Sequence, residues 1–322
     1  MRPFEYARPT ELGDALRLVR AGGVPLAGGT DLLGLMKDGI EAPARLVDLR
    51  DVAALRGWSR TRGKGLRIGA LVPLVELESS AELAAALPIV AEALGPAATA
   101  QLRTMGTLGG NLLQQNRCWY FRDEGYPCWR KGGVRCFALE GDDRLHAILG
   151  AEECVAVAPS DLAPALIAFD AEATLDGARG TRSLPLVDLY VVPHGRVRRE
   201  HSIVAGELLT EIRIPENALG RRGAFAKAME RKGWSFALVS VAVSTKLREG
   251  VARDARIVLG GVAPVPWRAR EAERLLEGRA LDEPACSAAA DAALEAAQPL
   301  KQNGYKVPLA RELIRRTLRR LA

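Results

Sequence analysis

The stretch Gly106-Thr107-Leu108-Gly109-Gly110-Asn111 is a glycine turn, and the segment directly after it holds most of the chain's cysteines. Four of the five cysteines lie there: Cys118, Cys128, Cys136 and Cys154. Glycine allows positive φ and lets backbone N–H groups approach an anion closely. Cysteine thiolates are ligands for zinc and for iron–sulfur clusters. The stretch therefore predicts a nucleotide-like redox cofactor next to a metal centre.

A second glycine turn lies nearer the N-terminus, where the apolar run Val24-Pro25-Leu26 leads into Ala27-Gly28-Gly29-Thr30-Asp31-Leu32-Leu33. Each turn carries a threonine and a polar neighbour, Asp31 in one and Asn111 in the other. The turn at residues 27–33 matches neither a nucleotide P-loop nor a dinucleotide fingerprint, and on its own it could be only a tight turn before a helix. Two such turns in one domain are nevertheless what a long cofactor with a pyrophosphate requires. Two ordinary hairpin turns are the alternative.

The spacing of the four clustered cysteines leaves three interpretations open. Gaps of nine, seven and seventeen residues separate them, so the closely spaced Cys-x-x-Cys pair of ferredoxins and zinc ribbons is missing. An iron–sulfur cluster, a structural zinc site and unpaired core thiols all fit. Five basic residues surround the cysteines and could offset the charge of a cluster: Arg117, Arg122, Arg130, Lys131 and Arg135. By contrast, Cys286 lies in an alanine-rich segment and is expected to be a buried apolar residue on a helix.

Length and composition indicate a two-domain globular protein. The chain has 322 residues, of which 48% are hydrophobic and 26% charged. Its net charge of +6 is scattered and only 5% of residues are aromatic, which argues against a nucleic-acid surface and allows an acidic partner or an anionic cofactor. Apolar runs are too short for a membrane span, and the first residues lack the apolar region of a signal peptide. We therefore expect a cytoplasmic protein, or a periplasmic one exported only with a partner.

Alternating helix and strand patterns predict an α+β architecture. Residues 10–21 have helical spacing with Thr10 as the expected N-cap, and residues 81–94 predict a second helix. The character of the sequence changes near residue 181, after which strand patterns dominate. We expect a cofactor-binding domain over residues 1–182, with the cysteine insertion at about 114–156, and a C-terminal domain over residues 183–322.

The two glycine turns, together with Pro159-Ser160-Asp161-Leu162-Ala163-Pro164-Ala165-Leu166, resemble the FAD-binding subunits of the xanthine oxidase family of molybdenum hydroxylases. The resemblance covers nearly the whole chain. It implies a two-subdomain FAD-binding domain followed by a smaller α+β domain with an antiparallel sheet and helices. The cysteine segment is similar to the insertion of a subgroup that includes bacterial periplasmic aldehyde oxidoreductases and 4-hydroxybenzoyl-CoA reductases.

The resemblance also assigns site residues. It implies that Cys118, Cys128, Cys136 and Cys154 bind a four-iron, four-sulfur (4Fe-4S) cluster. It implies that FAD is bound by Leu26, Ala27, Gly28, Gly29, Thr30, Asp31, Leu32, Leu33, Gly106, Thr107, Leu108, Gly109, Gly110, Asn111, Gln114, Asp161, Leu208 and Lys227. The chain departs from the family pattern at residues 231–240, where Arg-Lys-Gly-Trp-Ser-Phe-Ala-Leu-Val-Ser replaces the usual arginine–aspartate pairing ahead of a strand.

The resemblance implies an electron-transfer subunit of an aldehyde-oxidising complex. Its partners would be a small subunit with two 2Fe-2S clusters, a large molybdopterin-binding subunit and an external electron acceptor. His146 has an apolar setting typical of a core histidine, and the histidines form no recognisable catalytic triad, so acid–base chemistry on the substrate is expected on another chain. The alternatives are a subunit of an aromatic acyl-CoA reductase of the same family and a zinc-stabilised nucleotide-binding scaffold protein.

Overall fold

Three β-sheets organise the computed structural model, which describes residues 1–231 and 233–322. The first sheet is parallel, has the order β1-β3-β2, and consists of β1 (Glu5–Ala7), β2 (Val24–Leu26) and β3 (Arg45–Asp48). The first glycine turn follows β2, at the carboxyl end of that strand. Ligand sites of parallel α/β sheets commonly lie at this end.

The second sheet has the order β4-β5-β8-β6-β7 with antiparallel pairing throughout. Its strands are β4 (Trp58–Thr61), β5 (Gly65–Gly69), β6 (Glu172–Gly177), β7 (Gly180–Pro185) and β8 (Leu208–Ile214). The domain boundary expected at residue 182 lies inside β7, and β8 belongs to the same sheet. The boundary stays a prediction.

The third sheet is antiparallel and forms the centre of the C-terminal part of the chain, in the order β12-β11-β10-β9. Its strands are β9 (Arg222–Ala228), β10 (Val239–Arg248), β11 (Val251–Gly260) and β12 (Trp267–Arg268). Three helices pack on it through small and aliphatic residues. Cys286 lies on one of them with no exposed surface, as expected.

Helices cover these sheets and make most of the remaining core. They are α1 (Leu12–Arg20), α2 (Leu32–Lys37), α3 (Leu74–Ser79), α4 (Ala81–Ala86), α5 (Pro88–Leu94), α6 (Ala100–Met105), α7 (Leu108–Leu112), α8 (Trp119–Arg122), α9 (Leu162–Ile167), α10 (Glu216–Leu219), α11 (Arg270–Leu276), α12 (Glu283–Ala293) and α13 (Lys306–Arg319). Within the described ranges, none is long and apolar enough to cross a membrane.

Two helix predictions need correction in detail. The first predicted helix exists, but it begins at Leu12, and its N-cap is Glu11, whose side chain makes no capping hydrogen bond; Thr10 is not the cap. The helix predicted over residues 81–94 is two helices, α4 and α5, because Pro88 starts a new helix and the preceding Leu87 leaves helical geometry. The α+β class and the two-subdomain arrangement with an antiparallel C-terminal sheet are confirmed.

An ion-pair network around the buried Arg221 joins β11 of the third sheet to the loop between α9 and β6. The Arg221 guanidinium, which is 2% exposed, lies 2.6 Å from both Asp170 and Asp254. Arg256 binds the same two carboxylates. The arginines hold the pKa of Asp170 and of Asp254 below the ordinary range. The network fixes the C-terminal sheet against the end of α9.

Candidate cofactor groove and cysteine cavity

The two glycine turns touch each other through their backbones. A Cβ added to Gly28 would lie 1.8 Å from the carbonyl oxygen of Met105 and 3.2 Å from Cα of Gly106. Gly29 adopts a positive φ of 74°, a region that residues with a side chain rarely adopt. The sequence has glycine at position 28 because a side chain there would drive the two turns apart.

The second turn is fixed to the five-stranded sheet and to its own helix. Gly109 N–H donates to the carbonyl of Ala70 at 2.8 Å, and a Cβ on Gly109 would meet Ala70 at 3.0 Å. The hydroxyl of Thr107 accepts a hydrogen bond from Gly110 N–H and caps α7. Both turns are therefore held by backbone contacts rather than by long side chains.

Two chambers meet at the turns. The first has a volume of about 540 Å³ and lies over β2 and the start of β8. The second has about 470 Å³ and lies against α6, α9 and β9. Both volumes fall in the usual range for small-molecule sites. Four residues line both chambers, so the chambers adjoin at Thr30, Asp31, Gly110 and Gln114. Together the two chambers form an elongated groove, and the glycine turns lie at its middle.

The structure brings most of the predicted FAD residues to this groove. Besides the four shared residues, the first chamber is lined by Leu26, Ala27, Gly28, Gly29, Leu32, Thr107, Gly109 and Leu208. The second chamber is lined by Gly106, Asn111, Asp161 and Lys227. Two predicted residues lie elsewhere. Leu108 is 1% exposed and belongs to the core beneath the turn, and Leu33 packs beside Gly29 and Leu26.

Asp161 and Lys227 form an ion pair in the second chamber. Their charged atoms are 2.8 Å apart, and their side chains are 8% and 1% exposed. Lys227 also donates to the carbonyl of Pro96 at 3.2 Å. Burial raises the pKa of Asp161, and the positive charge of Lys227 opposes that shift. The pair brings α9 and β9 together at the groove and presents a polar face to it.

Arg117, Trp234 and Phe236 line the second chamber and were not predicted to bind FAD. Trp234 is 62% exposed with a φ of 48°, and the Arg117 guanidinium lies 4.9 Å from the centre of the Phe236 ring. The two aromatic residues fall in the segment that departs from the family pattern. In the sequence, the two aromatic residues near Gly233 were the only indication that this loop could contact a cofactor.

The groove fits a flavin dinucleotide on its own geometry. The turns leave no room for a side chain at Gly28, and the chambers open to both sides of them. Arg117 contributes a buried Nε that has no hydrogen-bond partner among the described residues. An unpaired buried N–H is costly, so a donor left free beside a groove indicates a ligand acceptor.

Asp31 lines the groove, but other groups of this chain already bind its carboxylate. Arg117 and Arg122 approach it at 2.7 and 2.8 Å, and the backbone N–H of Gln115 donates at 2.8 Å. All three donors lie in residues 115–122, around the first of the four cysteines. Asp31 thus fastens the cysteine insertion to the first glycine turn.

The four clustered cysteines line one small cavity of about 20 Å³. Cys128 and Cys154 are each 6% exposed, Cys118 and Cys136 are half-buried, and all four are free thiols. Aromatic side chains wall the cavity: Tyr120, Phe121, Trp129 and Phe137. The insertion therefore gathers sulfur atoms from four separate loop positions in an aromatic shell.

These thiols are not arranged as a finished metal site. Across residues 1–231 and 233–322, no group of three His, Cys, Asp or Glu side chains has a geometry that could hold a metal ion. The cavity has room for about one water molecule. Burial raises the pKa of Cys118 and of Cys154 to about 12, so a metal would have to displace their protons. Four cysteine sulfurs are the ligand type and number that an iron–sulfur cluster requires. The 4Fe-4S cluster expected from the sequence stays a prediction.

Buried charges lie beside the cavity. Arg130 is paired with Glu200 at 3.1 Å, and both side chains are at least nine-tenths buried. Arg130 also lies over the Phe121 ring, and Arg198 lies 5.0 Å from the centre of the Trp129 ring. His146 is 3% exposed, as its apolar setting predicted, and its Nε2 lies 3.2 Å from Sγ of Cys118. Burial lowers the pKa of His146 to about 4.

Two family models match the chain. The FAD binding domain in molybdopterin dehydrogenase matches residues 2–217, and the CO dehydrogenase flavoprotein C-terminal domain matches residues 224–321. The chain is 37% identical to the aldehyde oxidoreductase FAD-binding subunit of Escherichia coli over 98% of this chain and 96% of that protein. It is 32% identical to the carbon monoxide dehydrogenase medium chain of Afipia carboxidovorans, with the same coverage.

Solved structures show the same fold. A chain of the Cu,Mo-CO dehydrogenase matches with a TM-score of 0.77 and 31% identity, covering 100% of this chain and 99% of that one. A chain of quinoline 2-oxidoreductase from Pseudomonas putida 86 matches with the same TM-score at 25% identity. The glycine turns, the groove they form and the full-length matches agree: the chain belongs to the FAD-binding subunits of the molybdenum hydroxylase family.

Proposed function

We propose that this chain is the FAD- and 4Fe-4S-containing electron-transfer subunit of a molybdenum hydroxylase complex that oxidises an aldehyde. The observation that carries the proposal is the placement of four cysteine sulfurs around one cavity, in an insertion fastened to the FAD groove through Asp31. The 37% identity to an aldehyde oxidoreductase FAD-binding subunit supports the choice of substrate class.

In this proposal the groove residues bind and orient FAD, which supplies reversible two-electron chemistry when bound. The touching glycine turns receive the pyrophosphate, because bare backbone approaches an anion closely there. Arg117 has a free N–H for an acceptor on the cofactor. The buried pair Asp161–Lys227 offers polar groups to the ring system in the second chamber.

The cysteine cavity would hold the cluster, which supplies one-electron capacity when bound. Its four sulfurs match the usual ligand number of a 4Fe-4S cluster. The aromatic walls exclude water, and Arg130 places a buried positive charge beside the thiolates. The positive charge of Arg130, which its partner Glu200 partly offsets, favours acceptance of an electron by a negatively charged centre. Exclusion of water acts in the opposite direction, because added negative charge is less well solvated in an apolar shell.

Substrate chemistry would take place on a partner. We propose a small subunit with two 2Fe-2S clusters, a large molybdopterin-binding subunit and an external electron acceptor as the partners of this chain. Oxidation of an aldehyde to a carboxylic acid releases two electrons, which this chain would pass to the acceptor. Relatives named as medium chains or as subunits of complexes support this arrangement.

An anaerobic reduction experiment on the complex purified with its partner chains tests the function. Addition of an aldehyde should bleach the flavin absorbance, and a later addition of an artificial acceptor should restore it. If no aldehyde bleaches the flavin, but a hydroxybenzoyl-CoA thioester reoxidises the chemically reduced complex, the aldehyde assignment is wrong and the reductive alternative replaces it.

A further inference from the structure

We propose that His146 donates a hydrogen bond from Nε2–H to Sγ of Cys118 and that this bond raises the reduction potential of the cluster bound by the four cysteines. The inference rests on the proposed function, since it needs the cluster. The two atoms are 3.2 Å apart, within the range of a hydrogen bond to sulfur. The histidine is 3% exposed, so solvent does not compete for the bond.

The donor role follows from the surroundings of the ring. The other nitrogen, Nδ1, is buried and has no partner among the described residues. If the proton were on Nδ1, a buried N–H would lack an acceptor, and the Nε2 lone pair would face the lone pairs of the cluster-bound sulfur, which carries no proton. With the proton on Nε2, the sulfur receives a donor and only an acceptor atom is left unpaired. Because an unmade donor bond is costly, the Nε2–H tautomer is favoured.

Both partners of the bond are held in place. The His146 ring lies against the ring of Trp119, with centroids 5.9 Å apart, and against that of Tyr120 at 6.4 Å. The backbone N–H of Cys118 donates to Oδ1 of Asn116 at 3.0 Å. The backbone N–H of His146 donates to the carbonyl of Asp143 at 2.9 Å. Contacts within the cysteine insertion therefore fix the positions of both His146 and Cys118.

Residues of the C-terminal part of the chain hydrogen-bond to the backbone around His146. The Asn303 side chain, which has no exposed surface, donates to the carbonyl of His146 at 3.2 Å and to that of Ala147 at 3.0 Å. The buried Lys306 donates to the carbonyl of Leu145 at 3.0 Å. The segment that carries His146 is therefore clamped to the start of α13, which makes Asn303 a positioning residue for the bond.

The expected effect on the cluster has a simple electrostatic origin. Reduction adds negative charge to the iron and sulfur atoms. An N–H aimed at a ligand sulfur stabilises that charge, so hydrogen bonds to the sulfurs raise the reduction potential. Removing the donor should make the cluster harder to reduce, without changing the number of ligands.

The test compares His146→Leu and His146→Gln with the wild type in the complete complex, purified anaerobically. Leucine removes the donor, whereas glutamine keeps an N–H of similar reach. The EPR signal of this cluster is identified as the one that Cys136→Ser removes. In a potentiometric titration, His146→Leu should shift that signal to a more negative potential, and His146→Gln should stay nearer the wild type. Backbone N–H groups of Tyr120 and Phe121 also approach Sγ of Cys118, so pulsed EPR in H2O and D2O should show their exchangeable protons in all three proteins. One further exchangeable-proton coupling should be present in the wild type and in His146→Gln and absent from His146→Leu.

Each outcome decides the inference. An unchanged potential and an unchanged set of exchangeable-proton couplings in His146→Leu would overturn it. Loss of iron from His146→Leu alone supports it, because the variant that keeps the donor keeps the cluster. Loss of iron from both variants overturns it, because the imidazole would then be needed for its shape. A wild-type complex without iron in this chain is a separate result, which defeats the proposed cluster rather than the role of the histidine.

Discussion

The cofactor groove and the cysteine cavity lie side by side in this chain, but they are built in different ways. Backbone contacts make the groove: Gly28 lies against Met105, and Gly109 lies against Ala70. Side chains make the cavity, and its thiols do not form a finished metal site. A backbone site can be complete before its ligand arrives, whereas a thiolate site needs the metal to displace the protons and to set the final positions of the sulfurs. We therefore predict that a substitution in one site removes its own cofactor and leaves the other cofactor bound.

Gly28→Val should have the largest effect on FAD binding, and it should act on the groove alone. Its Cβ would lie 1.8 Å from the carbonyl oxygen of Met105, so the two turns must separate. FAD affinity should fall by about 100-fold or more, equivalent to about 3 kcal/mol of binding free energy. Fluorescence titration of the apoprotein with FAD measures this. Gly34→Ala, at a helical position with nothing within 4 Å of the added Cβ, is the matched control and should bind FAD normally. Equal affinity in both variants would contradict the account of the groove.

Cys128→Ser should affect the cavity alone. Serine is a poor ligand for iron, so the chain should lose most or all of its iron while retaining FAD. Iron analysis and flavin absorbance on one sample give both values. Cys286→Ala serves as the control, because Cys286 is buried on α12 away from the cavity, and it should keep both cofactors. Loss of FAD together with iron in Cys128→Ser would show that the two sites depend on each other.

Lys227→Met should destabilise the folded chain by about 3–5 kcal/mol, because it leaves the buried carboxylate of Asp161 without its cation. Urea unfolding measures this loss, and the double variant Asp161→Asn/Lys227→Met should recover much of it. In the single variant, burial raises the pKa of Asp161 and the positive charge of Lys227 no longer opposes that shift. Since the raised pKa belongs to the folded state, stability should be greatest at acidic pH and fall as pH rises through that pKa. If the free energy of unfolding of Lys227→Met did not depend on pH differently from that of the wild type, Asp161 would not be a buried, unpaired carboxylate in the variant.

Asp31→Asn should have the smallest effect, and it tests the connection between the two regions. The change weakens the contacts of Arg117 and Arg122, each a charge-assisted hydrogen bond. Amide hydrogen exchange in the insertion should accelerate about tenfold, equivalent to about 1.4 kcal/mol of local stability. Arg135→Ala breaks an exposed ion pair with Glu140 and should change exchange little. Equal protection in Asp31→Asn and the wild type would mean that the insertion is held by other contacts.

The sequence was sufficient to locate the groove because glycine reports directly on backbone geometry. The turns around Gly28 and Gly109 were predicted to form one site, and they adjoin two connected chambers. The resemblance of these motifs to the FAD-binding subunits of molybdenum hydroxylases is confirmed. The α+β fold, predicted from alternating helix and strand patterns and from the same resemblance, is confirmed as well.

Other features could not be inferred from residue patterns. Asp31 was predicted to bind FAD, but its carboxylate is bound by arginines more than 80 positions away, a contact that only the tertiary fold creates. Leu108 lies within a predicted motif and yet packs into the core, because side chains around a short helix point in different directions. The proximity of His146 to Cys118 likewise depends on a loop conformation that carries no periodic signal.

The most direct test of the central claim is the cofactor content of the wild-type chain in its complex, purified anaerobically and separated from its partners by mass before metal and flavin analysis. The account predicts one FAD and about four irons with about four acid-labile sulfides per chain. One FAD with no iron, or with a single zinc in place of iron, would contradict it and would leave the four cysteines as core thiols or as a structural metal site.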